Sequence, residues 1–518
     1  MNQSTLNSNK YIMYYAVFCT AIYGILAIVF LSTNYVEGDD ASTVLYHLMG
    51  RDKGIQMPYS AYHSGFDFIL SFISPDEVIL RSFATIVSFI FGGLVLFLSG
   101  VLLFKLEILN PKMLLNYLLL LPFIIPEFIF SSGLYNPTSI GFTFILLSTF
   151  SLLKYIQTKH IKHFFVFTIL FSFGIPFRWS LVFYLPVYLA IFILKYSYKP
   201  PIKQLLIFAA FCIMAICLAF CTIAITGYTP INIVQTYLWG KGYIENTERS
   251  ILSIFANAVS YYTIPFVFCL IAGTYGIIKK RVISNKFWLL LILTISPFFI
   301  MGFHTSFKYS ITYMPILLLI GAIGYEQLMS KKMLKYSLTL SIAFIWFIGI
   351  KLNSSKLAYG PGFSNKITIY ADKNINNNPD RRIDKGKIQA SLAGGLLMPT
   401  AEGPRPLLGY FYVVFGGEYK KYINEQEKKR LNLIKIVKEN DATLFQDRRT
   451  SYLQCDLYRL GYKSSAFDFN GQYSFRNFIN NKSNDTLILN VIPDEVNKAE
   501  WIINKHNEMN KPIILRSS

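Results

Sequence analysis

A succession of long apolar runs constrains this chain more than any other feature. Runs of about 17 to 25 mostly apolar residues recur about eleven times before residue 353, at approximately 11–33, 78–104, 112–131, 138–154, 163–177, 179–198, 204–226, 255–278, 287–303, 309–329 and 334–352. A segment of that length in hydrocarbon must satisfy every backbone polar group internally, which leaves the α-helix as the form for each run. Of the 518 residues, 53% are apolar and only 15% charged, which excludes an ordinary soluble enzyme. The run at 11–33 has no small-residue cleavage site and is followed by further spans, so it reads as a retained anchor and not as a removed signal peptide.

The formal charge of +20 does not point to nucleic acid, because its distribution follows the spans. Lysines and arginines gather in alternate connections: Lys105 and Lys112; Lys154, Lys159 and Lys162; Lys195, Lys199 and Lys203; Lys279, Lys280, Arg281 and Lys286; Lys331, Lys332 and Lys335. By the positive-inside rule these loops are cytoplasmic. The N-terminus is then also cytoplasmic, and both the first loop and the tail lie outside.

That first external loop, 34–76, is the most polar stretch of the span-bearing part. It holds Glu37, Asp39, Asp40, Asp52 and Asp67 with His47, His63, Arg51 and Lys53, whereas everything up to Lys351 contains only about a dozen carboxylates. Ionisable groups where a helix leaves the bilayer mark function. Gly38-Asp39-Asp40-Ala41-Ser42 before an apolar-periodic segment is equally the signature of a helix N-terminus, in which an aspartate accepts backbone N–H bonds with no catalytic duty. The two readings are compatible.

After about residue 353 the composition changes to a charged, Asn-rich sequence that can fold in water. A helical pattern over Asn424 to Glu439, a strand at Ala442 to Phe445, a helix over Ser451 to Leu460, a strand at Leu487 to Ile492 and a helix near Val496 to Lys505 predict a small α/β domain. The expected division is therefore a transmembrane domain, 1–352, and an extracytoplasmic α/β domain, 353–518. Of the six cysteines, five fall in predicted spans and Cys455 stands alone in the tail, so no structural disulfide is expected. No cofactor is assigned. His47 and His63 lack a ligand-spaced partner, so the spacing does not support a divalent metal site.

Three places carry a family resemblance. An acidic pair after the first span, followed by a short amphipathic segment and Met57-Pro58-Tyr59, resembles the first external loop of the GT-C superfamily of polyprenyl-phosphate-sugar-dependent membrane glycosyltransferases. Pro176-Phe177-Arg178-Trp179, with Leu185-Pro186 beyond it, is similar to the basic-led helix of that superfamily, and His304 to Pro315, with Lys308-Tyr309, resembles its late segment. The likeness covers roughly the first 350 residues in layout and a few dozen in motif. It implies a GT-C-like transmembrane domain and an acidic catalytic base in the first loop.

The chemistry requires the same residue types. Transfer of a sugar from a lipid phosphate to a hydroxyl needs a carboxylate to take the acceptor proton and cations to hold the departing phosphate. Asp40, with Asp39 close behind, is the expected base. If the segment is helical, adjacent residues diverge by about 100°, so only one of the pair faces the acceptor. Arg178 and Lys308 are the expected phosphate ligands, Arg as a fork and Lys as a point charge. His304, Lys241, Arg249 and Arg81 follow. For each cation the alternative is snorkelling to the interface. Asp67, His63, Tyr59, Arg405 and Tyr243 are candidate contacts to sugar or acceptor. The expected donor is an undecaprenyl-phosphate-linked sugar, the acceptor a surface glycan such as O-antigen, and the location a bacterial inner membrane. The competing expectations are a polysaccharide polymerase or ligase, which would rest on outer-loop Arg and His, and a non-enzymatic flippase or transporter, for which Glu127 beside Pro126 is the deep charge.

Overall fold

The computed structural model describes residues 11–21, 64–73, 77–106, 137–195, 200–226, 264–280, 314–328 and 431–446, seven further strands and a few single positions. The chain forms two compact units, one of Met1–Thr33, Pro58–Phe72 and Ser82–Glu418, the other of Asn34–Met57, Ile73–Arg81 and Tyr419–Ser518.

Before residue 353 the described α-helices are α1 (Tyr11–Ala21), α2 (Ser64–Ser71), α3 (Glu77–Lys105), α4 (Pro137–Thr158), α5 (Lys162–Gly174), α6 (Leu185–Lys195), α7 (Ile202–Ile225), α8 (Ile264–Lys280) and α9 (Met314–Leu328). Among the described residues three stretches are long and apolar enough to cross a membrane: Ile86–Lys105, Pro137–Thr158 and Ile202–Ile225. The expected spans at 78–104, 138–154, 163–177 and 204–226 fall on α3, α4, α5 and α7. The shorter α1, α6 and α9 lie within the expected spans at 11–33, 179–198 and 309–329, and α8 overlaps the span at 255–278 and runs two residues past it. Of the span at 287–303 only Trp288, Ile292 and Ser296 are described, and 112–131 and 334–352 lie outside the described residues.

Local chemistry sets the helix ends. Pro137 opens α4, where its missing N–H is one of the orphans of a first turn. Pro201 precedes α7, and its carbonyl accepts from the N–H groups of Gln204 at 2.8 Å and Leu205 at 3.2 Å. Between α4 and α5 the chain reverses through Lys159, whose φ of 59° is left-handed and whose N–H donates to Tyr155 O at 2.7 Å.

In the helical core α5 packs between α4 and α7, with α6 against α4. Ile145, Leu152, Phe164, Phe167, Phe171, Tyr184, Tyr188 and Phe192 are completely buried there. Phe167 and Tyr188 meet edge to face with centroids 5.0 Å apart, and Phe164 stacks on Phe211 at 4.7 Å. Hydrogen bonds join polar groups across these helices: Ser148 Oγ lies 2.5 Å from Tyr188 OH, which donates to Ile145 O at 3.0 Å. Ser172 Oγ sits 2.9 Å from Ala215 O, joining α5 to α7. Lipid tails are as apolar as these side chains, so close packing and hydrogen bonds hold such helices together.

Small residues allow that packing. A Cβ on Gly141 of α4 would lie 3.0 Å from Gly174 O of α5, and one on Gly174 would lie 3.2 Å from Gly141 O. In the α8–α9 pair, a Cβ on Gly324 would collide with Cys269 O, and one on Gly273 with Ile320 O.

α7 shows the solvent for which this unit is built. It buries Phe208, Phe211, Ala215, Ala219 and Ile223 along one stripe, yet exposes Ile202, Leu206, Ile213, Phe220 and Ile225. A helix in water would place polar residues on that outer face; an apolar one suits lipid.

Two sheets complete the described structure. β1 (Ile367–Tyr370), β2 (Lys387–Ser391), β3 (Gly395–Thr400) and β4 (Gly403–Pro406) form an antiparallel meander in sequence order. β5 (Ala442–Gln446), β6 (Ser464–Ala466), β7 (Thr486–Val491) and β8 (Ile513–Ser517) form an all-parallel sheet ordered β6-β5-β7-β8. The strands expected near 442 and 487 are β5 and β7, and the helix expected over Asn424 to Glu439 is seen at 431–439. The helices expected over Ser451 to Leu460 and Val496 to Lys505 lie outside the described residues, Leu460 excepted.

Candidate active site

The site is built from a break in the helical path. α5 stops at Gly174, and the chain tightens into a 3-10 turn, Ile175–Phe177. Pro176 is the cause, since it has no N–H to give to the carbonyl of Ser172 one turn back. That carbonyl is approached instead by Thr222 Oγ1 of α7, at 3.5 Å. Arg178 then adopts an extended backbone, φ −161° and ψ 96°, before a second 3-10 segment, Trp179–Tyr184, leads into α6. The expected span at 179–198 therefore opens as a 3-10 helix, and its α-helical part begins only at Leu185.

Arg178 is pinned at both ends. Its N–H donates to Ile175 O at 3.0 Å, and its carbonyl accepts from Leu181 N–H at 2.9 Å. The residue is only 7% exposed. A guanidinium is charged at every accessible pH, and burying such a charge is costly unless it is paired and hydrogen-bonded. Snorkelling, the alternative for this residue, calls for an exposed head group. The enclosure of Arg178 favours an internal role.

Two other elements close on this turn. At the start of α2, Ser64, Gly65 and Phe66 are all buried, and a Cβ on Gly65 would lie 2.8 Å from Pro176 Cβ and 3.1 Å from its carbonyl carbon. α2 is thus seated directly on the turn that precedes Arg178. From α4, Gly141 approaches the same turn, since its Cβ would lie 3.6 Å from Phe177 Cβ and 2.5 Å from Leu181 Cδ1. The hydroxyls of Ser64 and, one turn before Gly141, Thr138 are buried with no hydrogen-bond partner.

The candidate residues are placed unevenly. Arg178 and the α2 backbone that carries Asp67 are brought together. Arg81 lies in the second turn of α3, and Arg405 lies in β4 opposite Met398. Asp39, Asp40, Tyr59, His63, Lys241, Tyr243, Arg249, His304 and Lys308, with His47 and Glu127, lie outside the described residues. Among the described residues no group of three or more His, Cys, Asp or Glu is gathered for a metal.

Sequence reasoning missed Gly65, Ser64 and Thr138. The available signal for Gly65 was a glycine beginning a short apolar helix, together with a proline in a distant span; nothing in the sequence pairs the two.

No family model matches this chain, and no curated protein matches it. Among solved structures it is similar to the arabinosyltransferase EmbB from Mycobacterium smegmatis, at 11% identity and a TM-score of 0.40 over 89% of this chain and 42% of that one. It is also similar to the oligosaccharyltransferase of Archaeoglobus fulgidus, at 12% identity and a TM-score of 0.37 over 62% of this chain and 51% of that one. The chain thus spans about half or less of the length of these two proteins.

Proposed function

We propose that this chain is an inverting membrane glycosyltransferase of GT-C type. It moves a sugar from an undecaprenyl-phosphate donor to an extracytoplasmic acceptor such as O-antigen or another surface glycan, in a bacterial inner membrane. The observation that supports the reading is a buried arginine at a 3-10 break in the helical path, with Gly65 of α2 seated on its turn, and Asp39 and Asp40 enter through the resemblance of their loop.

In the reaction, Asp40 or Asp39 takes the proton of the acceptor hydroxyl as its oxygen attacks the anomeric carbon from the face opposite the phosphate. The bond from that carbon to the phosphate oxygen breaks, and its electron pair stays on the phosphate. Charge therefore builds on the leaving polyprenyl phosphate, and a fixed guanidinium stabilises that charge without reorganising. Arg178 takes this role, with Lys308 as the second cation and His304, Lys241, Arg249 and Arg81 as further contributors. Inversion follows from single displacement with one base.

Mass spectrometry of surface glycans tests the reading in cells with the gene intact, deleted, or carrying Asp39→Asn and Asp40→Asn together. Loss of the same sugar mass in the deletion and the double variant is expected. A polymer that is shortened, or stranded on its carrier, in the deletion alone would replace this reading by a polymerase, ligase or flippase.

A further inference from the structure

The parallel sheet of the second unit has a reversal in its strand order. The chain steps from β5 outward to β6, then passes beyond β5 to β7 and continues outward to β8, giving β6-β5-β7-β8. In open parallel sheets, ligands are taken in the crevice outside the carboxyl ends of the strands where the order reverses. Here that place lies between the ends of β5 and β7.

The register shows which positions lie at that edge. Leu444, Ile488 and Ile514 share one row and Phe445, Leu489 and Leu515 the next, so the middle of the sheet is aliphatic and aromatic on both faces. One step later, at the carboxyl edge, the row reads Gln446, Asn490, Arg516. Parallel register partners lie on the same face, and at about 4.8 Å between strands the three positions span about 10 Å. A strand end that only leaves a core needs one polar residue. Three polar positions in one row across three strands, two amides and a guanidinium, form a pattern.

The chemistry of that row is selective. A carboxamide both donates and accepts, which matches the hydroxyls of a sugar, and a guanidinium grips a phosphate or carboxylate through two parallel hydrogen bonds. We propose that the carboxyl edge of this sheet, at Gln446, Asn490 and Arg516, is a second binding site that takes an anionic sugar, one bearing a phosphate or a carboxylate. The proposal is independent of the transferase reading.

The test is titration of the detergent-solubilised full chain with glucose 1-phosphate, glucuronate and glucose, followed by saturation-transfer NMR. At least one anionic sugar is expected to bind tenfold or more tightly than glucose, and the better of the two anions identifies phosphate or carboxylate as the recognised group. Arg516→Gln should reduce that preference to near unity, Arg516→Lys should keep part of it, and Arg178→Gln should leave it intact. Gln446→Leu with Asn490→Leu should weaken all three sugars. Equal affinity for charged and neutral sugars, undiminished anion binding in Arg516→Gln, or loss in Arg178→Gln alone would overturn the proposal. If Arg516→Gln does not fold, wild-type affinity in both Arg516→Lys and the Gln446/Asn490 variant overturns it as well.

Discussion

Gly65 and Pro176 lie so close that no larger side chain fits at position 65: a Cβ there would sit 2.8 Å from Pro176 Cβ and 3.1 Å from its carbonyl carbon. The contact seats α2 against the turn before Arg178. The nearest atom belongs to the rigid proline ring and the next two to its backbone, so none of them can swing aside. Gly65→Ala is expected to cost about 1–3 kcal/mol of stability, as overpacking does. Gly65→Val is expected to shift the turn and lower transfer by about 100-fold, the order of loss that a misplacement near 1 Å produces. Thermal unfolding in detergent and a transfer assay check the two effects separately.

Arg178 is enclosed at 7% exposure and held by backbone hydrogen bonds on both sides. Its proposed work depends on charge and on fork geometry together. Arg178→Gln should lower kcat by about 10²–10³, and Arg178→Lys by less, since the charge remains while the bidentate geometry is lost. Equal activity of the lysine variant and wild type would show that only charge matters at this position.

Much of the helical unit was legible in the sequence, because a 20-residue apolar run has few alternatives to a helix. The ends of α3, α4 and α7 lie within a few residues of the expected spans. The tail was harder to read. The meander β1–β4 went unseen because Ile367–Tyr370 and Gly403–Pro406 are four-residue strands, one of them with two prolines, and such segments carry little periodicity. The short β6 and terminal β8 were missed for the same reason, whereas the β-branched and aliphatic run in β7 announced itself. At the site, the sequence singled out Arg178 through its place at the head of a span. It was silent on Gly65, because a glycine's reason for being there is its neighbour in space.

The α8–α9 pair offers a packing test independent of catalysis. A Cβ on Gly273 would collide with Ile320 O and one on Gly324 with Cys269 O, so both contacts are to backbone oxygens and no rotamer relieves them. Gly273→Ala and Gly324→Ala should each force the helices apart and lower stability by about 1–3 kcal/mol. Each is read as a fall in Tm of the solubilised protein.

Lys159 turns the chain from α4 to α5 with φ at 59°, a conformation that costs a side-chain-bearing residue about 1–2 kcal/mol. Its Nζ lies 6.0 Å from the centre of the Tyr155 ring, a contact worth about 0.5–1 kcal/mol at an exposed site. Lys159→Gly removes both terms, so a net gain of up to about 1 kcal/mol is expected. Lys159→Val, β-branched at a left-handed position, should be destabilising. Paired Tm measurements settle the sign.

In the proposed reaction a first-loop carboxylate and Arg178 together transfer a sugar from a lipid phosphate. The most direct measurement is the rate at which purified full-length protein releases polyprenyl phosphate from an undecaprenyl-phosphate hexose in the presence of acceptor glycan. Wild type should turn over, and the Asp39→Asn/Asp40→Asn variant should fall by about 10²–10⁴, the contribution of a general base. Turnover at the wild-type rate in that double variant would contradict the account.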